Sequence, residues 1–367
     1  MARIRRFVEC ESPSEDRQAV ERFQELLASE LAPLGRVRRH PGGTHARHLS
    51  ADLKLPGRRP SGRVLALGHG DTVWPLGTLA RMPFRNADGR LWGPGVMDMK
   101  GGLAIFIAAV ECLRELGIPA PHRVRLQVNS EEETGSPTSR ALTETNARES
   151  LAVLVLEPGT GLTGKLKTAR KGLGDYHVTV HGRASHAGVD FEAGASAVVE
   201  LARQIEKIAG FTNLTRGTTV NPGVVQGGTR SNVVAAEATA HIDIRIARLR
   251  DAAALDKKFK SLRPFDRRCR IEVSGGLNRP PMERTAGIQK LFRIARLQAA
   301  SVGVDLEESS TGGGSDGNFT AACGIPTLDG LGVVGTGAHA DDESLLVDRL
   351  ADRTALLALL LSQDLSR

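Results

Sequence analysis

The sequence predicts an α/β protein in which a mostly parallel-sheet main domain is interrupted by a smaller α+β domain, a two-layer sandwich. Apolar runs at 63–68 and 151–157 alternate with helical segments, which is typical of a parallel sheet covered by helices. From about Lys171 the pattern changes to alternating strands, which favours a separate two-layer sandwich. We therefore expect a main domain at 1–170 and 281–367 and an inserted domain at 171–280.

Hydrophobic periodicity and turn residues place the individual elements. In the main domain, the periodicity predicts an amphipathic helix capped by Ser12 or Ser14, a strand at 63–68, a buried helix at 99–116, a strand at 123–128, a short helix at 137–146 and a strand at 151–157. In the insert it predicts strands at 175–181, 219–226 and 238–246 and helices near 192–208 and 251–262; beyond it, helices at 287–300 and 344–362.

Composition narrows the classes of function. The 367 residues carry a net charge of +7 and include only 4% aromatic residues, so stacking platforms for nucleic acid are hard to assemble, and small anionic ligands fit better. No apolar window approaches a membrane span, and no signal peptide is recognisable, so we expect a cytoplasmic chain without membrane or nucleic-acid partners. The scattered cysteines, Cys10, Cys112, Cys269 and Cys323, predict buried, reduced thiols.

Polar residues that suit metal chemistry recur after predicted strands and in Gly-rich turns, where α/β sheets bind their ligands. They are His69 and Asp71 in LGHGDTV, Asp98 in GPGVMDMKGG, the run Glu131, Glu132 and Glu133 in NSEEETGS, Glu157 at the end of LAVLVLE, and His339 in GAHADDE. Each alone also fits an ordinary structural role, such as a helix cap or a solvated acidic run. Together, imidazoles and carboxylates suit a pair of divalent ions, which supply a nucleophile by lowering the pKa of a water.

In this order, these motifs resemble the metallopeptidase family that includes aminoacylase, acetylornithine deacetylase, succinyl-diaminopimelate desuccinylase and the bacterial glutamate carboxypeptidases that hydrolyse folates. The resemblance covers nearly the whole chain. It implies two zinc ions, with cobalt or manganese as possible substitutes. Asp98 would bridge the ions, with His69 and Glu157 on one ion and Glu133 and His339 on the other.

The resemblance also implies catalytic roles and a dimer, with 1–170 and 281–367 as the catalytic di-metal domain and 171–280 as the lid and dimerisation domain. Glu132 would be the general base, and Asp71 would orient His69. His186 in GRASHAG would stabilise the oxyanion of a partner subunit's active site, which implies a homodimer formed through the insert. A histidine in a surface turn is the alternative interpretation of His186.

Further positions are expected to contact a peptide or N-acyl amino acid substrate. These are Asn232 in GGTRSNVV, Gly313 in the Gly-rich loop TGGGSDG, and the cationic Lys165, Arg245 and Arg279, which match carboxylate-binding positions of the glutamate carboxypeptidases. Guanidinium groups bind carboxylates through two hydrogen bonds. Arg245 could instead pair with Asp243 or Asp251.

The resulting hypothesis is a two-zinc exopeptidase that releases a C-terminal acidic residue, glutamate, from a peptide or N-acyl conjugate. The first alternative is an N-acyl-amino-acid deacylase of the acetylornithine deacetylase or desuccinylase type, with the same metal centre and a different pocket. The more distant alternative is a non-catalytic binding module on the same fold.

Overall fold

The chain folds into two compact units in a computed structural model that describes residues 1–57 and 60–366. Unit 1 comprises Met1–Ala169, Arg284–Thr311 and the segment from Ser315 onward, and unit 2 comprises Arg170–Glu283 and Gly312–Gly314. One unit is therefore built from distant parts of the sequence, and the other is inserted between them.

Secondary structure is distributed along the whole chain. The strands are β1 (Gly35–His40), β2 (His48–Leu53), β3 (Arg63–His69), β4 (Arg85–Ala87), β5 (Arg90–Trp92), β6 (Arg123–Asn129), β7 (Ala152–Val155), β8 (Leu166–Arg170), β9 (Gly172–His181), β10 (Thr219–Gly227), β11 (Glu237–Ile246), β12 (Arg270–Arg279), β13 (Glu308–Thr311), β14 (Thr327–Leu328), β15 (Gly335–Thr336) and β16 (Ser344–Leu346). The α-helices are α1 (Ala2–Glu9), α2 (Arg17–Leu31), α3 (Gly101–Glu115), α4 (Arg140–Arg148), α5 (Ala197–Ala209), α6 (Ala252–Lys260), α7 (Ala286–Ser301), α8 (Gly317–Ala322) and α9 (Arg349–Ser362).

The main sheet of unit 1 has six strands in the order β1-β2-β6-β3-β7-β14. Strands β6, β3, β7 and β14 run parallel to one another, whereas β2 is antiparallel to both β1 and β6. The predicted α/β class with a largely parallel sheet is confirmed. Because parallel strands all end at the same edge, the loops after β3, β6 and β7 are brought together.

The core of unit 1 explains why α3 is apolar on nearly all sides. This helix lies between the main sheet and α9, and residues such as Leu103, Phe106 and Val110 are completely buried. Gly102 permits the close approach, since a Cβ atom there would lie 2.1 Å from the carbonyl oxygen of Leu156. The helix thereby fixes the loop that precedes it, which contains Asp98.

Unit 2 is a four-stranded antiparallel sheet, ordered β10-β11-β9-β12, covered by α5 and α6. Its core includes Tyr176, which stacks on Phe259 with ring centroids 3.8 Å apart. Unit 2 also includes Gly312–Gly314, which the predicted insert at 171–280 did not. Arg170 and Arg245 donate hydrogen bonds to carbonyl oxygens of this glycine segment.

Several sequence-based details were wrong. Asp16, and neither Ser12 nor Ser14, caps α2, because the Asp16 carboxylate accepts from two backbone N–H groups while both serine hydroxyls bind elsewhere in unit 1. The predicted helix at 344–362 begins only at Arg349, because Ser344–Leu346 pairs with β5 as a strand. Helix α1 and strand β12 had not been predicted.

The prediction that the cysteines are buried was wrong for three of the four. All four thiols are free, but only Cys269 is buried, and Cys112 on α3 is exposed. Within residues 1–57 and 60–366, no helix combines the length and apolarity required to cross a membrane.

Candidate metal centre

The ends of three adjacent strands supply the first residues of the site. His69 is the last residue of β3 and lies opposite Asn129, the last residue of β6. On its other side, β3 pairs with β7, which ends two residues before Glu157. The acidic run after β6, the imidazole of β3 and the carboxylate after β7 therefore lie at one edge of the sheet.

Asp98 is the centre of the cluster. One of its carboxylate oxygens, Oδ1, lies 3.1 Å from His69 Nε2, and the other, Oδ2, lies 3.5 Å from His339 Nε2. His69 Nε2 is also 3.5 Å from a Glu157 oxygen, and His339 Nε2 is 3.3 Å from a Glu133 oxygen. The side chains therefore form two groups, one around each imidazole, joined by a single carboxylate.

The three consecutive glutamates have different environments. Glu131 is fully buried, and its carboxylate accepts hydrogen bonds from the backbone and hydroxyl of Ser139 and from the hydroxyl of Thr138. Glu132 and Glu133 belong instead to the cluster at the sheet edge. The acidic run is thus not a solvated surface segment, and its first member anchors the other two.

Asp71 connects β3 with the acidic loop. Its carboxylate accepts hydrogen bonds from the backbone N–H groups of Glu132 and Glu133, at 3.1 and 3.2 Å, and from the hydroxyl of Ser14 at 2.7 Å. His69 Nδ1 lies 2.9 Å from the backbone oxygen of Asp71 and 3.4 Å from its carboxylate. These acceptors hold a proton on Nδ1. The Nε2 atom of His69 faces Asp98 and Glu157, so it donates to these carboxylates when the ring is protonated and offers its lone pair to a cation when the ring is neutral.

The charged groups perturb one another strongly. Burial acts to lower the pKa of His69, but hydrogen bonds with the neighbouring carboxylates outweigh burial and raise that pKa. Hydrogen bonds to Asp98 and Glu133 raise the pKa of His339 to about 10, and burial raises the pKa of Glu133 to about 7. Burial opposes ionisation of Asp98, yet hydrogen bonds from both imidazoles keep its pKa well below the usual range. Such a cluster favours the binding of positive charge.

The donor set fits divalent metal ions. Ligand atoms of His69, Glu132 and Glu157 lie within 4.8 Å of one another, and so do those of His69, Asp98 and Glu133. Neutral imidazole and carboxylate donors suit zinc and related ions. These groupings make either Glu132 or Glu133 geometrically able to reach an ion, so the division of their roles remains a prediction.

Other predicted site residues lie in unit 2. His186 and Asn232 are exposed neighbours, since His186 bridges to Val233 and Ala187 N–H donates to the Asn232 carbonyl at 3.0 Å. His186 Nδ1 accepts from Gly188 N–H at 3.2 Å, so in the neutral ring Nε2 carries the proton and can act as a donor.

The predicted carboxylate-binding side chains have different surroundings. Arg245 donates to both carboxylate oxygens of Asp243 at 2.9 Å, as in the structural alternative, and also to a carbonyl of the Gly-rich loop that contains Gly313. In unit 1, Lys165 pairs with Glu307 at 2.9 Å. Arg279 is buried in unit 2.

Sequence analysis missed two residues that support the centre. Ser14 had been considered only as a helix cap. Glu343 was part of the quoted motif GAHADDE and was given no role. It is nevertheless buried, and its carboxylate accepts hydrogen bonds from the backbone N–H groups of Gly95, Met97 and Asp98. Its four-residue spacing from His339 was the only sequence signal available.

The fold and this donor set together define a metal-dependent hydrolase with an inserted α+β domain. Residues 65–363 match Peptidase family M20/M25/M40, and the chain belongs to this family. It is therefore a metallopeptidase or amidohydrolase that acts on amide bonds.

Related sequences align with most of the chain. Carboxypeptidase G2 of Pseudomonas sp. (strain RS-16) is 29% identical over 376 residues, which cover 99% of this chain and 88% of that protein. Succinyl-diaminopimelate desuccinylase of Marinobacter nauticus is 30% identical over 347 residues, which cover 89% of each chain.

Solved structures share the fold. Aminopeptidase PepT of Bacillus cereus has a TM-score of 0.80 at 23% identity, with 98% of this chain and 96% of that chain covered. YXEP of Bacillus subtilis, described as a dinuclear metal-binding peptidase of the M20 family, has a TM-score of 0.69 at 14% identity, with 98% and 96% covered.

Proposed function

We propose that this protein is a two-zinc exopeptidase that releases C-terminal glutamate from peptides or N-acyl conjugates. The observation that carries the proposal is the position of Asp98, whose two carboxylate oxygens face the imidazoles of His69 and His339 separately. A carboxylate shared in this way suits two adjacent cations. His69 and Glu157 would hold one ion, Glu133 and His339 the other, and Asp98 both.

When bound, the two ions supply a nucleophilic water near neutral pH and stabilise negative charge on the scissile carbonyl. Glu132 is the proposed proton carrier. Its carboxylate lies within 4.8 Å of donor atoms of His69 and Glu157, and its backbone is fixed by Asp71. In this position it would accept a proton from the attacking water and transfer it to the leaving nitrogen.

His186 and Asn232 are the proposed substrate contacts of unit 2. An Nε2 donor on His186 suits stabilisation of an oxyanion, and the adjacent Asn232 offers an amide for the substrate. By family resemblance, the active form is a cytoplasmic homodimer in which His186 serves the partner's site. Sedimentation of the active enzyme tests this, and a fully active monomer would contradict it.

Support for an acidic leaving residue comes from the relative carboxypeptidase G2 and from the cationic positions Lys165, Arg245 and Arg279. Lys165 and Arg245 have acidic neighbours. A substrate carboxylate would therefore either replace the acidic partner of the cation or bind the cation in addition to that partner. Arg245 also binds a backbone carbonyl of the glycine segment, so this guanidinium and Gly313 are proposed to form one side of the pocket.

The second candidate is an N-acyl-amino-acid deacylase, because the desuccinylase of Marinobacter nauticus is 30% identical over 89% of this chain. The two functions differ in the amino acid that is released. Cationic ornithine would be repelled by Lys165, Arg245 and Arg279, whereas glutamate would be attracted.

A hydrolysis screen distinguishes the candidates. The enzyme, loaded with zinc or cobalt, is given matched N-acyl derivatives of glutamate, ornithine, diaminopimelate and alanine, and the released amino acid is quantified. We expect the highest kcat/KM with the glutamate derivatives. Preference for ornithine or diaminopimelate would establish the deacylase instead, and metal-loaded protein inert on the whole panel would favour a non-catalytic binding module.

A further inference from the structure

Glu343 lies beneath the loop that contains Asp98. Its side chain is 1% exposed, and both carboxylate oxygens are used. Oε1 accepts from the backbone N–H groups of Met97 and Asp98 at 2.8 and 3.1 Å, and Oε2 accepts from Gly95 N–H at 2.8 Å and from the indole of Trp74 at 2.7 Å.

The loop held by these bonds has an irregular backbone. Residues 96–100 form a short π-type turn, within which Asp98 and Met99 have non-helical dihedral angles. Backbone N–H groups in such a turn cannot all find partners within it. A single carboxylate supplies acceptors for two of them, those of Met97 and Asp98, and for Gly95 N–H directly before the turn. These charge-assisted hydrogen bonds are stronger than neutral ones.

Glu343 also belongs to the turn that contains His339. Its own N–H donates to the Ala340 carbonyl at 2.9 Å, and its carbonyl accepts from Gly93 N–H at 3.3 Å. One residue thus fastens two segments of unit 1 to each other: the loop of Asp98 and the turn of His339, whose side chains approach to 3.5 Å.

We propose that Glu343 is a positioning residue of the metal centre, which sets the distance between the Asp98 carboxylate and the His339 imidazole and thereby the affinity for the second ion. This inference rests on the proposed metal-dependent function. Glu343 itself binds no ion in this proposal and acts only by holding the loop of Asp98 against the turn of His339.

Two substitutions separate positioning from general stability. Glu343→Gln keeps the size of the side chain but replaces one oxygen with an N–H donor that faces other donors. Glu343→Asp keeps the charge and shortens the side chain by one methylene. Glu200→Gln is the matched control, because Glu200 in unit 2 is also 1% exposed and accepts backbone N–H groups, from Phe265 and Asp266 at 3.0 and 2.9 Å.

The experiment is a cobalt titration of metal-free protein, followed by calorimetry and by the visible absorption of bound Co²⁺. Wild type and Glu200→Gln are each expected to bind two ions. Each ion should bind with the same affinity in both proteins, and the two absorption spectra should be identical. Glu343→Gln is expected to bind the second ion about tenfold to a hundredfold more weakly, the range known for supporting residues around metals, and to change the spectrum. Glu343→Asp is expected to recover part of both properties.

If Glu343→Gln folds and has the cobalt affinities and spectrum of the wild type, the proposal is overturned. If Glu343→Gln does not fold, wild-type affinities and spectrum in Glu343→Asp overturn it instead. An equal loss of cobalt affinity in Glu200→Gln would also overturn it, because the effect would then be general destabilisation. Failure of the wild type to bind cobalt would instead contradict the proposed function.

Discussion

The hydroxyl of Ser14 donates a hydrogen bond of 2.7 Å to the carboxylate of Asp71. This bond joins the segment before α2 to Asp71, whose backbone oxygen lies 2.9 Å from His69 Nδ1 and which we propose orients that imidazole. The same carboxylate holds the backbone of Glu132. A change at Ser14 is therefore expected to reach the metal site without touching a ligand.

Ser14→Ala is expected to lower metal affinity by about tenfold, because Asp71 then loses a donor and His69 is held less firmly. Metal titration of chelator-treated protein measures this. Ser12→Ala is the matched control, since Ser12 is also buried and its hydroxyl donates to the Gly70 carbonyl at 2.7 Å. Equal affinities in the two variants would contradict the prediction.

Glu132→Ala is expected to reduce kcat by about 10²- to 10⁴-fold, the usual contribution of general acid–base catalysis, while the protein still binds two ions. Turnover and metal content are measured on the same preparation. Glu149→Ala serves as control, because its side chain is exposed and pairs with Arg63. Loss of an ion from Glu132→Ala would make Glu132 a ligand and leave Glu133 as the candidate base.

Metal addition is expected to protect unit 1 selectively against hydrogen exchange. All proposed ligands lie in unit 1, and a ligand stabilises the regions whose opening destroys its site. Amides in β3, β6 and β7 should therefore exchange more slowly with zinc than after chelation. Amides in β9 and β11 serve as the internal reference, and equal protection there would argue against a site confined to unit 1.

Arg353→Met is expected to lower the free energy of unfolding by about 3 kcal/mol, because buried carbonyl oxygens would lose their donor. Arg353 is 1% exposed and donates to the carbonyls of Gly332, Gly164 and Gly330. Urea denaturation measures the change. Arg296→Met, at an exposed position on α7, should alter stability by less than about 0.5 kcal/mol.

Arg245→Gln tests the acidic-substrate proposal. If the guanidinium binds the substrate carboxylate, KM for an N-acyl-glutamate should rise by about tenfold or more, the value of a charged hydrogen bond, and KM for an N-acyl-alanine should change less. Asp243→Asn is the control for loss of the internal ion pair alone. Equal effects of Arg245→Gln on both substrates would mean that Arg245 serves only unit 2.

The sequence was sufficient for the fold class and for the candidates at the sheet edge, because both depend on local patterns. An apolar run that ends in His69, and another that ends shortly before Glu157, identify both the strands and the positions of their carboxyl ends. His339 was also a candidate, although it follows only the two-residue strand β15, and its assignment to the same ion as Glu133 came from the family resemblance. The structure brings these side chains together, and their chemical roles remain predictions.

Features that depend on distant contacts were not predictable. Glu343 resembles part of a solvated acidic turn, and its acceptor role depends on Gly95 and Met97, far away in the chain. Strand β12 was missed because Gly275 and Gly276 interrupt its alternation. Gly275 is needed there, since a Cβ atom would lie 2.2 Å from the Asp175 carbonyl oxygen.

The discontinuity of unit 1 has a consequence for biosynthesis. Unit 2 is almost contiguous in sequence, from Arg170 to Glu283. It can therefore fold on the ribosome before β14, an edge strand of the sheet that contains His69, has been synthesised. The last proposed ligand, His339, is synthesised after unit 2 and after β14. A nascent chain that has not yet reached His339 would therefore carry His69 and the proposed carboxylate ligands without the second imidazole, and the proposed two-ion site would be complete only once the turn of His339 has been made.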